Sequence, residues 1–493
     1  MPDPIRPGNI SFDISFKKVG RPAPVDENAP LRIAVLGDFS GRPAGERDGC
    51  HAIMVDCDNF ESLCAHFGAG LQLPPCASGT PEIGIHFASL DDFHPDYLLK
   101  TVPALVALQQ LRARLLTPAD GDGAASEVRE MFKGRATAPP QEPLATQRSE
   151  STEDTLARLL GKTGNAVGPS SLKSVAENLI SEAVAPSVIP APGADQPQLL
   201  TMLDAEISAR LRSVLHQPSF QALEATWRGL DFLVREAGDN VKLHAIDISR
   251  EELDRQLASP NDPAATAIGR QLEQLTPTVI LGSFSFGAED ADALLRIARL
   301  AGACGTAFIG GAKPELVGCA SFATQPNPID WARSAGAKAN AFAEFRRAPE
   351  SSRIGLALPR FLIRQPYGKE SDPIQTLPFE ELSTGDSHES YLWANPAFLC
   401  GHLMLNSFAS DGWDMELGGS GGEIGGLPVH SFRDGSEMQT KPCAEAWLSE
   451  KAAEVILSHS IMPALSVRGR DSVLLMSLRS ISEPARPLAF RIG

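Results

Sequence analysis

The residue types that could carry nucleophilic catalysis occur together in one glycine-rich stretch. Residues 418–422 read Gly-Gly-Ser-Gly-Gly and satisfy the G-x-S-x-G pattern, with Ser420 at the centre. His430 with Asp411 or Asp414 could complete a serine, histidine and acid triad. A nucleophile elbow needs a helix directly after its serine, however, and the following GEIGGLPVH predicts none. The glycines favour a tight loop in which backbones approach closely, so a serine hydrolase is a remote alternative.

Two further patterns are incomplete. Residues 385–388, GDSH, resemble a GDS-type esterase motif but lack the apolar residue that follows it in such enzymes. A buried strand over 31–36 runs into the turn GDFSGR at 37–42, which invites a nucleotide-binding interpretation. The chain contains neither G-x-G-x-x-G nor G-x-x-x-x-G-K-[ST], so no phosphate-cradling loop is predicted.

Metal and cofactor sites are not predicted either. The eight cysteines form no CxxC pair and the ten histidines form no HxxxH or HExxH motif. The cysteines are therefore expected to be free thiols of a reducing compartment. Asp91, Asp92 and Asp96 could suggest an acidic site. They are better explained as helix-capping residues, because Ser89 and Pro95 lie where a helix should begin.

The composition indicates a globular protein of two to four domains, with 43% apolar and 21% charged residues in a chain of 493. The net charge of −17 argues against nucleic acid and anionic lipid as partners. Met1 is followed by no apolar signal-peptide core, and no apolar run approaches the length of a membrane span. A cytoplasmic location without membrane insertion is expected.

The chain is organised around a predicted helical pair over 203–234. Leu203, Ile207, Leu211 and Leu215 form one apolar stripe, and a second stripe follows after Pro218. Proline fits the first turn of a new helix, so a tight corner is predicted at that residue. Each helix needs a partner for its apolar face, and the second should place Trp227 in a core.

The N-terminal region begins with a predicted amphipathic strand. Ile10, Phe12, Ile14 and Phe16 alternate with polar residues, and a proline-rich tether follows them. Such a strand either folds back onto its own domain or adds to another sheet, and the pattern leaves both open.

The rest of the chain alternates strand-like and helix-like segments, with one interruption. Val102, Leu105, Leu108, Leu111 and Leu115 predict a helix with one buried face. About 80 residues after Leu116 are rich in Ala, Pro, Gly, Ser and Glu, which is typical of a linker. From Val241 the alternation resumes and predicts an α/β domain with a central mixed sheet flanked by helices.

Several quoted segments resemble known proteins. LRIAVLGDFSGR, VDCDNF and FASLDDFHPDYLLKTVPALVALQQLRARL, within 9–116, resemble the small (TssB/VipA-like) subunit of the contractile sheath of type VI secretion systems. LDAEISARLRSVLHQPSFQALEATWRGLDFLV, GLALPRFLIRQPYG, YLWANPAF and GGLPVH, within 203–478, resemble the large (TssC/VipB-like) subunit.

The resemblance implies four segments of the chain. They are a donor-type strand and tether over 1–20, a small-subunit-like α/β domain over 21–118, a partly disordered linker with short amphipathic helices over 119–198, and a large-subunit-like α/β domain over 199–493. The helix containing Leu105 would dock on the large domain, and Ile10 to Phe16 would be offered to a neighbour.

The implied function is structural and not enzymatic. Sheaths of this family surround an inner tube of stacked hexamers and contract, so the expected partners are further copies or other sheath subunits and the inner-tube protein. A baseplate and an AAA+ unfoldase are further implied partners. The linker segment 151–162 lies where the family has an unfoldase-recognition helix, but a plain linker helix is an open alternative.

Two departures from the family pattern bear on the role. Here one chain carries both subunit-like regions, and the family's C-terminal continuation, which supplies strands that link neighbouring protomers, is not found after Leu478. A sheath-like cap, baseplate adaptor or assembly regulator is therefore the alternative to a propagating sheath subunit. Arg353, Arg360 and Arg364 are expected to be structural, as strand-edge charges or buried ion-pair anchors.

Overall fold

The structure, a computed structural model, describes the following residues: 28–42, 50–73, 83–117, 120–133, 195–258, 262–332, 336–383, 388–415, 422–434, 437–488 and 490.

Twelve α-helices lie within this described part of the chain. In chain order they are α1 Phe60–Phe67, α2 Pro95–Thr101, α3 Pro103–Leu116, α4 Gly121–Phe132, α5 Gln196–Leu215, α6 Pro218–Val234, α7 Arg250–Leu257, α8 Ala267–Leu275, α9 Ala291–Ala303, α10 Ala337–Arg347, α11 Ala397–Asp411 and α12 Glu450–Ser458.

Fifteen β-strands accompany them in the same described ranges. They are β1 Leu31–Gly37, β2 Ala52–Val55, β3 Gly70–Leu73, β4 Ile83–His86, β5 Val241–Asp247, β6 Val279–Phe286, β7 Ala307–Ala312, β8 Ile354–Leu358, β9 Phe361–Leu362, β10 Trp393–Ala394, β11 Glu423–Ile424, β12 His430–Asp434, β13 Glu437–Lys441, β14 Met462–Ser466 and β15 Val473–Leu475.

Nine of these strands form one mixed sheet in the order β11-β15-β14-β8-β7-β6-β1-β5-β2. The six strands from β14 to β5 in this order are parallel, and antiparallel strands close both edges. Helices flank the sheet, and its strands β1, β7 and β8 are almost entirely buried because both faces are covered. The predicted fold class is confirmed.

The position of β1 in this sheet joins two distant parts of the sequence. Leu31 lies opposite Val241 of β5, and Ile33 lies opposite Val279 of β6. All but one of the seven residues of β1 are buried. A strand from the region predicted as a separate N-terminal domain thus lies inside the sheet built by the C-terminal region.

The predicted corner at Pro218 is confirmed. Helix α5 ends at Leu215, and α6 begins at Pro218, which occupies the first helical turn. Trp227 is fully buried, as expected. The predicted capping role is confirmed for Asp92, which accepts hydrogen bonds from the backbone N–H groups of Ala88 and Ser89.

Two compact units can be distinguished in the chain. The first comprises 1–97, 214–373 and 380–493 and contains the nine-stranded sheet. The second comprises 98–213 and 374–379 and contains α3, α4 and most of α5. The domain boundaries proposed from the sequence, at 20, 118 and 198, stay a prediction. None of the helices that the structure describes combines the length and apolar character needed to cross a membrane.

Candidate assembly surfaces and buried charge clusters

The predicted interaction residues fall into two groups. Ile10, Phe12, Ile14 and Phe16 lie outside the described residues. The second group lies on α3 or directly before it, and all of its members are buried: Val102, Leu105, Leu108, Leu111 and Leu115.

The α3 group packs within the second compact unit. Arg112 of α3 forms an ion pair with Asp204 of α5, and Gln196 donates a hydrogen bond to the carbonyl oxygen of Leu115. These side chains therefore stabilise the chain's own fold. As residues of an interaction site they stay a prediction.

The junction between the N-terminal strand β1 and helix α6 is an aromatic cluster around Trp227. Its indole Nε1 donates to the carbonyl oxygen of Phe39 at 2.9 Å, and the two rings meet edge-on with centroids 5.1 Å apart. Phe60 and Phe67 pack against the same indole at 6.2 and 6.0 Å. The indole N–H, the polar side-chain atom of the cluster, has its hydrogen-bond partner, so the cluster is a well-packed joint between the two sequence regions.

The turn after β1 uses its backbone donors internally. The N–H groups of Phe39 and Ser40 donate to Asp247 Oδ1 at 2.9 and 3.0 Å, and Gly41 N donates to Asp38 Oδ1 at 2.8 Å. A phosphate-cradling loop would need such donors for its ligand. The turn therefore serves to fix β1 against β5, in line with the missing nucleotide-binding motif.

A buried ion network lies between α6 and the segment after β9. Arg364 donates from Nε to Glu224 Oε1 at 2.7 Å and from Nη1 to Glu381 Oε2 at 2.7 Å. Arg228 donates to the same Glu224 oxygen at 2.7 Å and to the Tyr367 hydroxyl at 3.0 Å. Two guanidinium groups thus balance two carboxylates, and both Glu224 and Glu381 are almost fully buried.

The electrostatics of this network favour its charged form. Burial disfavours ionisation of Glu224, but Arg364 and Arg228 outweigh that cost and hold the pKa of Glu224 below its ordinary value. Burial, followed by the charge of Glu224, raises the pKa of Tyr367, so its hydroxyl stays protonated. A cavity of about 460 Å³ borders the network, lined in part by Arg228, Tyr367 and Leu427.

A second cluster could be mistaken for a metal centre. His388, Glu389 and Glu445 bring an imidazole and two carboxylates within 4.8 Å of one another. Arg360, however, binds Glu389 at 3.0 Å and donates from Nε to Glu445 at 2.8 Å, and Lys441 Nζ lies 2.8 Å from His388 Nδ1. Arg360 already pairs with both carboxylates, and Lys441 contacts the imidazole, so we interpret the cluster as ion pairs.

The hydrolase alternative gains no support from the described part of the chain. Ser420 lies outside the described residues. His430, its supposed partner, shares a hydrogen bond between Nδ1 and the Tyr391 hydroxyl at 3.0 Å and stacks on Phe432. Burial raises the pKa of Tyr391 to about 12, so this hydroxyl remains a donor. His430 therefore positions the base of a hairpin.

That hairpin, formed by β12 and β13, is an exposed surface of the first unit. Its two strands pair only with each other among the described residues, from His430 opposite Lys441 to Asp434 opposite Glu437. Met438 is 63% exposed and Phe432 is 37% exposed. An isolated pair of strands is marginally stable in water, so this hairpin is a candidate for covering by another strand.

Sequence reasoning missed the acidic partners of the arginines. Glu224, Glu381 and Glu445 are each at most 5% exposed, and each binds an arginine. A weak signal was present in α6, where Glu224 lies at helical spacing between Phe220 and Trp227 of the predicted apolar stripe.

Two protein-family models and a known sheath protein match parts of this chain. Residues 197–482 match the family model VipB, described as EvpB/VC_A0108, tail sheath N-terminal domain. Residues 10–132 match the model T6SS_VipA, described as type VI secretion system, VipA, VC_A0107 or Hcp2. The chain is also similar to the type VI secretion system sheath protein TssC1 of Pseudomonas aeruginosa, at 29% identity over 305 residues. That alignment covers 58% of this chain and 61% of the relative's length.

Proposed function

Because the chain belongs to the VipB family of tail sheath proteins, we propose that it is a structural sheath subunit of a type VI secretion apparatus, in which one polypeptide carries both sheath-subunit regions. The role is mechanical, and no catalytic step is assigned to it. Work is done through changes in subunit packing.

The observation that carries this proposal is the central place of β1 in the nine-stranded sheet. The strand comes from the VipA-matching region, and it is hydrogen-bonded on both sides to strands of the VipB-matching region. Removing it would expose the edges of β5 and β6 and the aromatic cluster at Trp227. The two regions therefore act as one folding unit, as a fused protomer requires.

The partners follow from the proposed role. We assign further copies of this chain, or other sheath subunits, as the main partners, and the inner-tube protein as the surface around which they pack. A baseplate and an AAA+ unfoldase are proposed as further partners, and the cytoplasm as the place of assembly. A sheath-like cap, baseplate adaptor or assembly regulator is the second candidate.

The test is electron microscopy of the purified chain, alone and mixed with the inner-tube protein of the same organism. A sheath subunit should form long, ridged, hollow tubes. An accessory protein should give monomers or small closed rings that bind the ends of authentic sheaths. A chain that neither forms tubes nor binds sheaths in this assay would contradict both candidates.

A further inference from the structure

Lys441, at the base of the β12–β13 hairpin, lies directly beside the side chain of a histidine. Its Nζ atom is 2.8 Å from Nδ1 of His388. Lys441 is only partly buried, and residues 437–440 of the same strand are exposed. The amine therefore lies at the boundary between the core of the first compact unit and its surface, within reach of small solutes.

The contacts of His388 determine which of its ring nitrogens can accept a proton. Nε2 lies 3.3 Å from Oε1 of Glu445, and a carboxylate only accepts, so Nε2 carries the hydrogen. The ammonium group of Lys441 only donates, so Nδ1 presents its lone pair to Nζ. In this tautomer the imidazole can take a proton from the amine while Glu445 stabilises the imidazolium. The order of amine, imidazole and carboxylate is that of a nucleophile, its base and the group that orients the base.

Neighbouring groups hold the imidazole in this orientation. Its ring stacks on Trp393 with centroids 4.7 Å apart, and Nε1 of Trp393 donates to the backbone carbonyl oxygen of His388 at 2.9 Å. Glu445 is itself held by Arg360, whose Nε donates to it at 2.8 Å. The base is therefore fixed against Lys441 by packing and by a second layer of hydrogen bonds.

The charged groups around Lys441 leave it more readily deprotonated than an ordinary lysine. Burial disfavours the ammonium form and outweighs the charges of Glu445 and Glu389, so the pKa of Lys441 lies below its ordinary value. Arg360 already pairs with both of these carboxylates. Among the described residues, the ion pairs include none formed by Lys441 itself.

The remaining titratable groups at this position are Tyr391 and His430. Burial raises the pKa of Tyr391 to about 12 and lowers the pKa of His430, so both side chains are neutral at pH 8. The Tyr391 ring lies 4.8 Å from Nζ of Lys441, and its π face attracts the ammonium form. Removal of the proton therefore depends on the imidazole.

We propose that Lys441 is a site of covalent acylation by acyl phosphates, with His388 as the base. Nδ1 of His388 takes one proton from the ammonium group, and the Nζ lone pair then attacks the carbonyl carbon of the acyl phosphate. An N–C bond forms and the C–O bond to phosphate breaks. The second amine proton leaves with the phosphate, and the imidazolium returns its proton to water. The products are an uncharged amide and inorganic phosphate, and nothing is oxidised or reduced.

The partial burial of Lys441 favours a small donor. Acetyl phosphate is much smaller than a coenzyme A thioester and fits more easily beside the rings of Tyr391 and Trp393, whose centres lie 4.8 and 5.8 Å from Nζ. The site is independent of the proposed sheath role, because all of its groups belong to one chain.

The first test incubates the purified full chain with acetyl phosphate at pH 8 and follows each lysine by peptide mass spectrometry. Two lysines serve as internal controls: Lys451 at the start of α12 is exposed, and Lys313 forms an ion pair with Glu289 that raises its pKa. Lys441 should be acetylated at least about fivefold faster than either control. A rate at Lys441 equal to or below that at Lys451 would overturn the proposal.

The pH dependence in the natural chain gives a second measurement that needs no variant. Because Lys441 loses its proton more readily, its acetylation rate should level off at a lower pH than the rate at Lys451. Identical pH profiles for the two lysines would count against an activated amine at this position.

A variant tests the role of the base. His388→Gln can still donate to Glu445 but cannot take the proton, so it should slow acetylation of Lys441 at least about fivefold and move its pH profile upward. Unchanged rates at Lys451 and Lys313 would show that the fold is retained. An unchanged rate and profile at Lys441 in this variant would overturn the assignment of His388.

The class of donor is tested with acetyl coenzyme A at the same concentration. Lys441 should then show no advantage over Lys451, because the larger donor reaches the exposed lysine more easily. A greater advantage with the thioester than with acetyl phosphate would overturn the assignment of acyl phosphates. Lys441→Arg should abolish the rapid phase of labelling with either donor, and a rapid phase that persists would place the reactive amine elsewhere.

Discussion

The stability of the first compact unit should fall on mild acidification because of one buried histidine. His402 on α11 is 7% exposed, and its ring stacks on Phe232 with centroids 4.3 Å apart. Its Nε2 lies 3.3 Å from the side-chain amide nitrogen of Asn406, which can only donate. A proton at Nε2 would therefore face a donor inside an apolar pocket, and burial lowers the pKa of His402 to about 4.

The sign and size of the effect follow from linkage. An unfolded histidine has a pKa of about 6.5, so between about pH 6.5 and 4 the unfolded chain binds a proton that the folded chain does not. Stability is therefore unaffected above pH 7 and is lost as the pH falls through this window. Between pH 7 and pH 5 the loss from this one side chain is about 2 kcal/mol.

The assay is urea unfolding followed by tryptophan fluorescence at pH 7 and pH 5. All five tryptophans lie in the same compact unit as His402, so the fluorescence signal reports the unfolding of that unit. The matched control is His402→Phe, which keeps a ring against Phe232 but does not titrate. The natural chain should lose about 2 kcal/mol more than this variant between the two pH values. Equal losses, within about 0.5 kcal/mol, would refute the reasoning, because other titrating groups are common to both proteins.

Three further outcomes are expected. Glu224→Gln removes the carboxylate shared by Arg364 and Arg228 and should lower the free energy of unfolding in urea by about 3–5 kcal/mol. Glu389→Gln, at an exposed ion pair, should lower it by at most about 1 kcal/mol. Similar losses for the two variants would contradict the buried network. Gly229→Ala would place a Cβ against the ring of Phe398 and should cost about 1–3 kcal/mol, and Gly238→Ala, with open space around it, is the control. A protease site inserted within 134–194 should, after cleavage, leave two fragments that elute together in gel filtration, and their separation would disprove the shared sheet.

Helix boundaries and caps could be predicted from the sequence because the residues that determine them lie close together in the chain. The α5–α6 corner depends on Pro218 and on two helical stripes that can be counted by eye. The cap at Asp92 depends on residues three or four positions away. The sequence left open whether Arg364 is an exposed charge at a strand edge or the anchor of a buried ion pair. In the structure Arg364 forms a buried ion pair with Glu224.

The position of β1 in the sheet could not be predicted from local sequence patterns. The pairing of Leu31 with Val241 spans most of the N-terminal half of the chain, and β1, β7 and β8 share a similar buried, apolar pattern. Periodicity identifies a buried strand but does not name its neighbours. The partners of Glu224 and Glu445 were hidden for the same reason, since ion pairs over long sequence separations leave no local pattern.

One contact in the second compact unit bears on how a fused chain of this kind can arise. Arg129, near the end of α4, donates from Nε to Asp195, directly before α5, at 3.0 Å. The two ends of the segment 134–194 therefore lie close together. Because doubling the length of a closed chain segment costs only about 0.6 kcal/mol, segments of very different length can join the same two ends. A stop codon and a new start codon gained within 134–194, or lost, would convert one gene into two, or two into one, without altering any contact among the described residues.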